Sequence, residues 1–282
     1  MIVYFNGQFL PKEQVQVSPD DRGFLFADGA YEVIRCYGDR PFEIQAHLQR
    51  LERSLRELRI ARPDLEALRH AVGELIRRNG LGQGDAAVYL QVTRGVAPRK
   101  HAFPEKDTPP TVYLAASPFR PLPEKWERGV SIILVPDIRW ARCDIKALTL
   151  IPNVLASQEA KERGAEEAVF VRNGVITEGA HTNVCAVLDG QLVTHPLTNQ
   201  ILPGITRQVV LELCTEMGIP YREAPMDEAE LRAASEVMIL GTTTEIMPVV
   251  QVDGRPVGDG QPGPVTRRLQ AAFRARVASQ RA

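Results

Sequence analysis

The sequence predicts an α+β fold made of two α/β domains, and three observations carry that expectation. Short runs with two-residue alternation stop at Asn-Gly, Gly-Asp and Asp-Gly pairs, as strands joined by tight turns do. Between them lie stretches whose apolar residues recur every three or four positions, the period of a helix with one buried face. The segment Ser117-Pro-Phe-Arg-Pro-Leu-Pro123 puts three prolines in seven residues and interrupts both patterns.

Taken in order, Ile2 to Leu10 holds two apolar runs around Asn6-Gly7 and reads as a type I′ hairpin. Tyr31 to Tyr37 alternates and ends at Gly38-Asp39, a strand and a turn. Ile44, Leu48, Leu51, Leu55 and Leu58 form one helical stripe, and Leu65, Leu68, Val72, Leu75 and Ile76 a second that ends at Asn79-Gly80. Strands follow at Ala87 to Thr93 and Thr111 to Ala115, so residues 1–117 read as a mainly antiparallel sheet with helices against it. Residues 118–124 read as a linker that is neither helix nor central strand, and 125–282 as a second α/β domain carrying Lys146. There, strands are expected at Val130 to Val135, Ala168 to Val171 turning at Asn173-Gly174, Val175-Ile176, Val184 to Val193 with a turn at Asp189-Gly190, and Val237 to Leu240. Helices are expected at Asn153 to Arg163, Ile205 to Met217, Asp227 to Ala234 and Val265 to Val277. No internal repeat is visible, and a ligand is expected in a cleft between the domains.

Composition narrows the function. Over 282 residues, 34 Lys and Arg against 35 Asp and Glu leave a formal net charge of −1, which removes the electrostatic case for nucleic acid. The pairs Arg77-Arg78 and Arg267-Arg268 fall in helical patterns and read as solvated faces. No apolar run reaches membrane-spanning length, and the start Met-Ile-Val-Tyr-Phe-Asn-Gly lacks the pattern of a signal peptide. Cys36, Cys143, Cys185 and Cys214 are scattered and read as buried thiols in a reducing cytoplasm, not as disulfides or zinc ligands. The histidines show no metal-ligand spacing, and no metal is expected; nor is there a P-loop or a dinucleotide fingerprint.

Four stretches could carry chemistry. Lys146 precedes Ala-Leu-Thr-Leu-Ile, an apolar setting in which an ammonium must be paired or give up its proton. It reads either as a lysine that snorkels to water or as an amine nucleophile able to form Schiff bases with carbonyls. Gly204-Ile-Thr-Arg207 opens a helix and suits a plain N-cap or a phosphate cradle; Gly241-Thr-Thr-Thr-Glu245, after an apolar strand, also suits an anion. Glu178, in Thr177-Glu-Gly179, is either a solvated loop residue or a carboxylate that keeps a cationic ring nitrogen protonated. Arg99 and His101 alternate in a basic loop that could lie on the surface or grip a carboxylate.

These stretches, with others in the same order, resemble the branched-chain-aminotransferase-like family of fold-type IV pyridoxal-phosphate enzymes, and within it the D-amino-acid aminotransferases. The matching segments are Asp21-Arg-Gly-Phe-Leu-Phe-Ala-Asp-Gly-Ala-Tyr-Glu-Val33, Gln91-Val-Thr-Arg-Gly95 with Pro98-Arg-Lys-His-Ala-Phe-Pro104, Asp137-Ile-Arg-Trp140 with Arg142-Cys-Asp-Ile-Lys146, Thr177-Glu-Gly179 with Asn183-Val184, Gly204-Ile-Thr-Arg207, and Thr242-Thr-Thr-Glu-Ile-Met-Pro248. They span nearly the whole chain.

The resemblance implies pyridoxal 5′-phosphate as cofactor, with Lys146 carrying the internal aldimine and shuttling the proton between the substrate α-carbon and the cofactor. It implies Glu178 at the ring nitrogen and Arg139 near the phenolic oxygen. Arg50, the backbone of Ile205 and Thr206, and Thr242 would hold the phosphate, and Leu202 would pack beside cofactor and lysine. Tyr31, Arg99 and His101 would hold the substrate carboxylate, the last two reaching in from the other subunit of a homodimer. After Glu178-Gly179, where the best-known D-amino-acid enzymes carry serines, this chain reads Ala180-His181-Thr182, which bears on substrate range. The expected reaction is ping-pong transamination between a D-amino acid, D-alanine foremost, and a 2-oxo acid, 2-oxoglutarate foremost. An L-branched-chain aminotransferase, an (R)-amine transaminase and an aminodeoxychorismate lyase share the scaffold; Arg99, His101 and Tyr31 favour the D-amino-acid branch. A non-catalytic cofactor-binding protein would be expected to lack Lys146 or Glu178, and both are present.

Overall fold

The computed structural model describes Met1 to Arg281 and falls into two compact units. The first comprises residues 1–121 together with 145–149. Its elements are β1 (Ile2–Phe5), β2 (Gln8–Pro11), α1 (Arg22–Phe26), β3 (Gly29–Tyr37), β4 (Arg40–Pro41), α2 (Ile44–Leu58), α3 (Leu65–Arg78), β5 (Asp85–Thr93) and β6 (Thr111–Pro118). The strands form one antiparallel sheet in the order β2-β1-β6-β5-β3-β4. The β1–β2 turn at Asn6-Gly7 takes positive φ at both residues, 46° and 91°, which is what a type I′ turn demands.

The two helical stripes read from the sequence are the buried faces of α2 and α3. Leu48, Leu51, Leu55, Leu68, Val72 and Leu75 pack with Ile34, Cys36, Val88, Leu90 and Leu114 in a single core. The alternation of β3 sends Ala30, Ile34 and Cys36 into that core, and with them Glu32, which is fully buried. Tyr31 and Val33 point the other way and are half-buried.

Two expectations need correction. Ser117 and Pro118 belong to β6, paired with Ala87 and Ala86 of β5, and α4 starts at Pro123. Proline is tolerated at 118 because β1 pairs with β6 only at residues 113–115, so the strand end has a partner on one side alone. Pro123 falls in the first turn of its helix, where the missing N–H costs nothing. The strip Ile145–Thr149, expected in the second domain, groups with the first. Tyr31 N–H donates to Lys146 O at 3.1 Å, Leu148 N–H donates to Gly29 O at 3.0 Å, and Ala30 faces Ala147 across an antiparallel bridge.

The second unit, residues 122–144 and 150–280, holds α4 (Pro123–Arg128), β7 (Val130–Pro136), α5 (Ile151–Glu162), β8 (Glu167–Arg172), β9 (Val175–Gly179), β10 (Asn183–Leu188), β11 (Gln191–Thr194), α6 (Ile205–Met217), β12 (Tyr221–Glu223), α7 (Glu228–Ala233), β13 (Glu236–Gly241), β14 (Glu245–Val252), β15 (Arg255–Pro256) and α8 (Pro264–Arg281). The strand order is β12-β11-β10-β13-β14-β7-β8-β9, with β15 on β14. A further pairing, Asn183 with Glu178, joins β9 to β10, so six of the strands close into a ring. The parallel pairs β7–β8 and β14–β7 are not evident in the local sequence pattern. Pro248 sits inside β14, next to a register shift between Val249 and Gln251. Among the described residues no helix is long and apolar enough to cross a membrane, and no cluster of three His, Cys, Asp or Glu could hold a metal ion. The four cysteines are free and buried.

Gly29 is where the Lys146 strip meets β3. A Cβ at this position would lie 2.6 Å from Val92 O and 2.7 Å from Leu148 Cδ1. Gly29→Ala should therefore destabilise the protein by roughly 1–3 kcal/mol through overpacking against backbone. Urea unfolding reads this directly, and an unchanged midpoint would show that the strip is not packed as described.

Candidate active site

In the first unit the sequence-predicted residues gather around the start of β3. Lys146 is half-buried, and its Nζ lies 4.4 Å from the centroid of the Tyr31 ring. Its backbone N–H reaches Ser54 Oγ on α2 at 3.3 Å. The Tyr31 ring has Tyr89 of β5 as neighbour, 5.9 Å between centroids. Lysine and phenol are thus brought together by the strip-to-strand bonds described above.

Arg50 lies one turn beyond His47 on the buried face of α2, and both meet Glu32. Arg50 Nε and Nη2 donate to the two carboxylate oxygens at 2.8 Å each, and His47 Nδ1 lies 2.7 Å from Glu32 Oε2. Burial alone would raise the Glu32 pKa, but the Arg50 guanidinium and His47 outweigh it and hold the carboxyl at about 2. Burial pushes His47 below its ordinary value, partly offset by Glu32. Glu32 and His47 were not singled out from the sequence. The available signal was an acid at a core-facing position of an alternating strand, which only a buried cation can justify.

Arg99 and His101 are exposed and share one aromatic platform. The Arg99 guanidinium lies 5.1 Å from the Phe26 ring and the His101 ring 5.6 Å from it. Among the described residues neither makes a hydrogen bond or ring contact with Tyr31.

In the second unit Arg139 and Leu202 meet Glu178, which is buried at the end of β9. Arg139 Nη1 donates to Glu178 Oε1 at 2.5 Å. Asn183 Nδ2 and the backbone N–H of Leu202 donate to Oε2 at 3.1 and 2.9 Å. Asp137 fixes Arg139 from behind, with Nε and Nη2 each at 2.9 Å, and the guanidinium lies 4.2 Å from the Phe170 ring centroid. Burial disfavours charge on Arg139, yet Asp137 and Glu178 more than compensate and raise its pKa, while Asp137 is held below its usual value. Glu178 is therefore no solvated loop residue.

Asn183 also donates to Leu202 O at 3.0 Å, tying Glu178 to the segment that leads into α6. That helix starts at Gly204, which offers no side-chain cap, and its first residues Ile205 and Thr206 are buried. A Cβ on Gly204 would lie 1.9 Å from Asn183 Oδ1, so glycine is what lets the asparagine stand there. Thr242 is half-buried in the turn between β13 and β14. Asn183 and Asp137 in the second unit, and Ser54 in the first, meet these residues although sequence reasoning gave them no role. The groups within each unit suit parts of a pyridoxal phosphate: in the first a primary amine, in the second a buried carboxylate, a fixed guanidinium and a helix start whose first N–H groups have no side-chain cap.

Comparison with known proteins gives the chain a family. Residues 29–252 match the model of the family described as amino-transferase class IV. The chain is 42% identical over 275 residues to the D-alanine aminotransferase of Staphylococcus haemolyticus, covering 96% of each chain. It is 42% identical to the D-alanine aminotransferase of Bacillus licheniformis, covering 100% of this chain and 99% of that one. Among solved structures, the branched-chain aminotransferase of Escherichia coli superposes with a TM-score of 0.90 at 32% identity, covering 97% of this chain and 93% of the other. The branched-chain aminotransferase of the archaeon Thermoproteus uzoniensis, solved with norvaline, gives a TM-score of 0.88 at 29% identity, covering 99% and 95%. Another branched-chain aminotransferase, solved with pyridoxamine 5′-phosphate, gives 0.90 at 27% identity, covering 99% and 94%.

The buried Glu32 makes stability depend on pH. Because its folded pKa of about 2 lies below the ordinary 4.5, its stabilisation is complete above pH 4.5 and is lost as pH falls through about 2. Glu32→Gln removes the anion opposite the buried Arg50, which should cost on the order of 3–5 kcal/mol at pH 7. The deficit should shrink as pH falls below 4.5, where the ionised wild-type carboxylate is losing its advantage. Urea unfolding of both proteins at neutral pH and again in acid measures it, and a deficit that does not change with pH contradicts the assignment.

Proposed function

The chain belongs to the amino-transferase class IV family, and from that premise we propose that it is a pyridoxal-phosphate-dependent transaminase acting on D-amino acids. The donor is D-alanine and the acceptor a 2-oxo acid, 2-oxoglutarate foremost. The observation that carries the chemistry is the buried Glu178 carboxylate, fixed by Arg139, Asn183 and Leu202. The handedness rests on the 42% identity to D-alanine aminotransferases over essentially the full length. The similarity in fold to branched-chain aminotransferases supports an L-specific alternative at lower identity, 27–32%.

Each residue has a task. Glu178 would hold the cofactor ring nitrogen protonated and Arg139 would meet the phenolic oxygen. Arg50, the N–H groups of Ile205 and Thr206, and the Thr242 hydroxyl would take the phosphate, and Leu202 would close the apolar side. When bound, the cofactor draws electrons from the substrate α-carbon and makes its C–H acidic. Lys146 Nζ takes that proton from one face, with the Tyr31 ring beside it setting where the amine stands. Donor and acceptor take turns in the site, the first leaving as an oxo acid before the second enters. Tyr31, Arg99 and His101 hold the substrate carboxylate. The working unit is a homodimer in which Arg99 and His101 serve the site of the other copy; their exposure and lack of contact with Tyr31 within one chain support this. The enzyme works in the cytoplasm, in keeping with four unpaired thiols.

Lys146→Ala should abolish transamination while the fold persists. Borohydride reduction of the wild type followed by peptide mapping should place the pyridoxyl group on Lys146, and its appearance on Lys125 or Lys161 would overturn the reading. In single turnovers with α-deuterated D-alanine, Glu178→Gln should slow proton abstraction more than it weakens binding.

Which enantiomer reacts depends on where the carboxylate docks, since Lys146 reaches the α-carbon from one side only. Arg99→Ala removes charge-assisted hydrogen bonds worth ~1.5–3 kcal/mol each, so kcat/KM for D-alanine should fall ten- to a hundredfold or more. Activity on L-alanine should rise little, and an (R)-amine without a carboxylate should be nearly indifferent. A wild-type preference for L-leucine would replace the D-amino-acid reading with the L-branched-chain one.

A further inference from the structure

The loop that carries Arg99 and His101 has no regular structure of its own, yet its backbone is tied to a buried cation. Arg22, on α1, is 3% exposed. Its Nη1 donates to Lys100 O at 2.6 Å, with Ala102 O at 3.4 Å and, from Nη2, His101 O at 3.5 Å at the outer limit of hydrogen bonding. Arg22 Nε is anchored on Asp28 Oδ2 at 2.8 Å. The same carboxylate receives Arg94 Nε at 2.7 Å and Nη2 at 2.9 Å. Arg94 spends its remaining donors on Leu58 O and Arg59 O, both at 2.8 Å, at the C-terminal end of α2. One carboxylate thus joins the loop, α1, the end of β5 and the helix that carries Arg50. Burial would raise the Asp28 pKa, but the two arginines hold it below its usual range, so the anion persists at working pH.

The loop held in this way carries Arg99 and His101. Both in fact lie on Phe26, whose ring also has the Arg22 guanidinium 4.9 Å away. The loop's tail is held in the same way, with the Phe103 ring 3.8 Å from the Arg94 guanidinium.

We propose that Arg22 and Asp28 are positioning residues that preset the 99–102 loop for capture of the substrate carboxylate, acting through loop order and not by touching substrate. The inference rests on the reading of Arg99 and His101 as carboxylate donors. Without the latch the loop must be ordered each time a substrate binds, and that cost falls on affinity more than on the chemical step.

The test uses the holoenzyme in three variants, Arg22→Lys, Asp28→Asn and Arg99→Ala. Arg22→Lys keeps the charge opposite Asp28 but loses the fork that holds the carbonyls; it decides the matter if Asp28→Asn does not fold. Both latch variants should raise the KM for D-alanine about tenfold and leave kcat within about threefold, the signature of lost binding rather than lost chemistry. Amide hydrogen exchange should quicken in residues 99–103 while β3 and β5 keep their protection. An unchanged KM in the latch variants, with Arg99→Ala raising it, overturns the latch. So does a joint fall of kcat and of protection across β3 and β5, which a merely structural role would give. If Arg99→Ala itself leaves KM unchanged, the carboxylate reading of the loop fails, whatever the latch does.

Discussion

The second unit depends on a buried charge at its seam. Six strands close into a ring only where Asn183 of β10 meets Glu178 of β9, and that meeting puts a carboxylate in the interior. A carboxylate there is tolerable only with a cation and hydrogen-bond donors against it. Arg139, Asn183 and the Leu202 N–H supply them, and Asp137 in turn holds Arg139 in place. The path of the chain from Asp137 to Leu202 is thus organised around one acid. In the proposed function this acid is held in place and out of water before a cofactor arrives, so no reorganisation is needed when it acts.

The same device recurs in the first unit, each time with one carboxylate shared between two side chains. Glu32 is shared by Arg50 and His47, and Asp28 by Arg22 and Arg94. A shared carboxylate does what a single ion pair does not: it fixes two side chains relative to each other. Buried ion pairs bring little net stability over apolar packing of the same volume, so their value here is geometric. Each fixes a guanidinium or a loop from elements that are distant in sequence. Mobile lysines and arginines on the surface could supply the same charges but not the same positions.

What could be read from the sequence follows the range of the interactions. Hairpins at Asn6-Gly7, Asn173-Gly174 and Asp189-Gly190 were legible because both central residues need positive φ, a local demand that those pairs meet. The buried stripes of α2 and α3 were legible because a helix's core face is periodic. The strip around Lys146 was not, since it is held by bonds to Gly29 and Tyr31 more than a hundred residues earlier. Pro248 inside β14 and the parallel pairing of β7 with β8 and β14 likewise depend on partners that no local pattern reveals. At the site, local reading left Lys146, Glu178 and Arg99 each with two meanings. It was the order of the motifs along the chain that assigned roles to them, while Glu32, Arg22 and Asp28 became visible only through the side chains they meet.

The two-residue period of β3 couples the proposed phosphate ligand to the proposed catalytic amine. Adjacent residues of a strand point to opposite faces, so Tyr31 and Glu32 cannot share an environment. Glu32 goes under α2, where it holds Arg50, and Tyr31 faces Lys146. One residue step therefore separates the group that anchors Arg50 from the group beside Lys146. A slip of one position would exchange them, burying a phenol against Arg50 and exposing the acid. Nine consecutive pairs with β5, from Gly29–Thr93 to Tyr37–Asp85, resist that slip, and so do the apolar side chains of Ile34 and Cys36 on the core face. In the proposed function the register of this sheet is thus as much a condition for activity as the lysine itself, because it decides which face each side chain reaches.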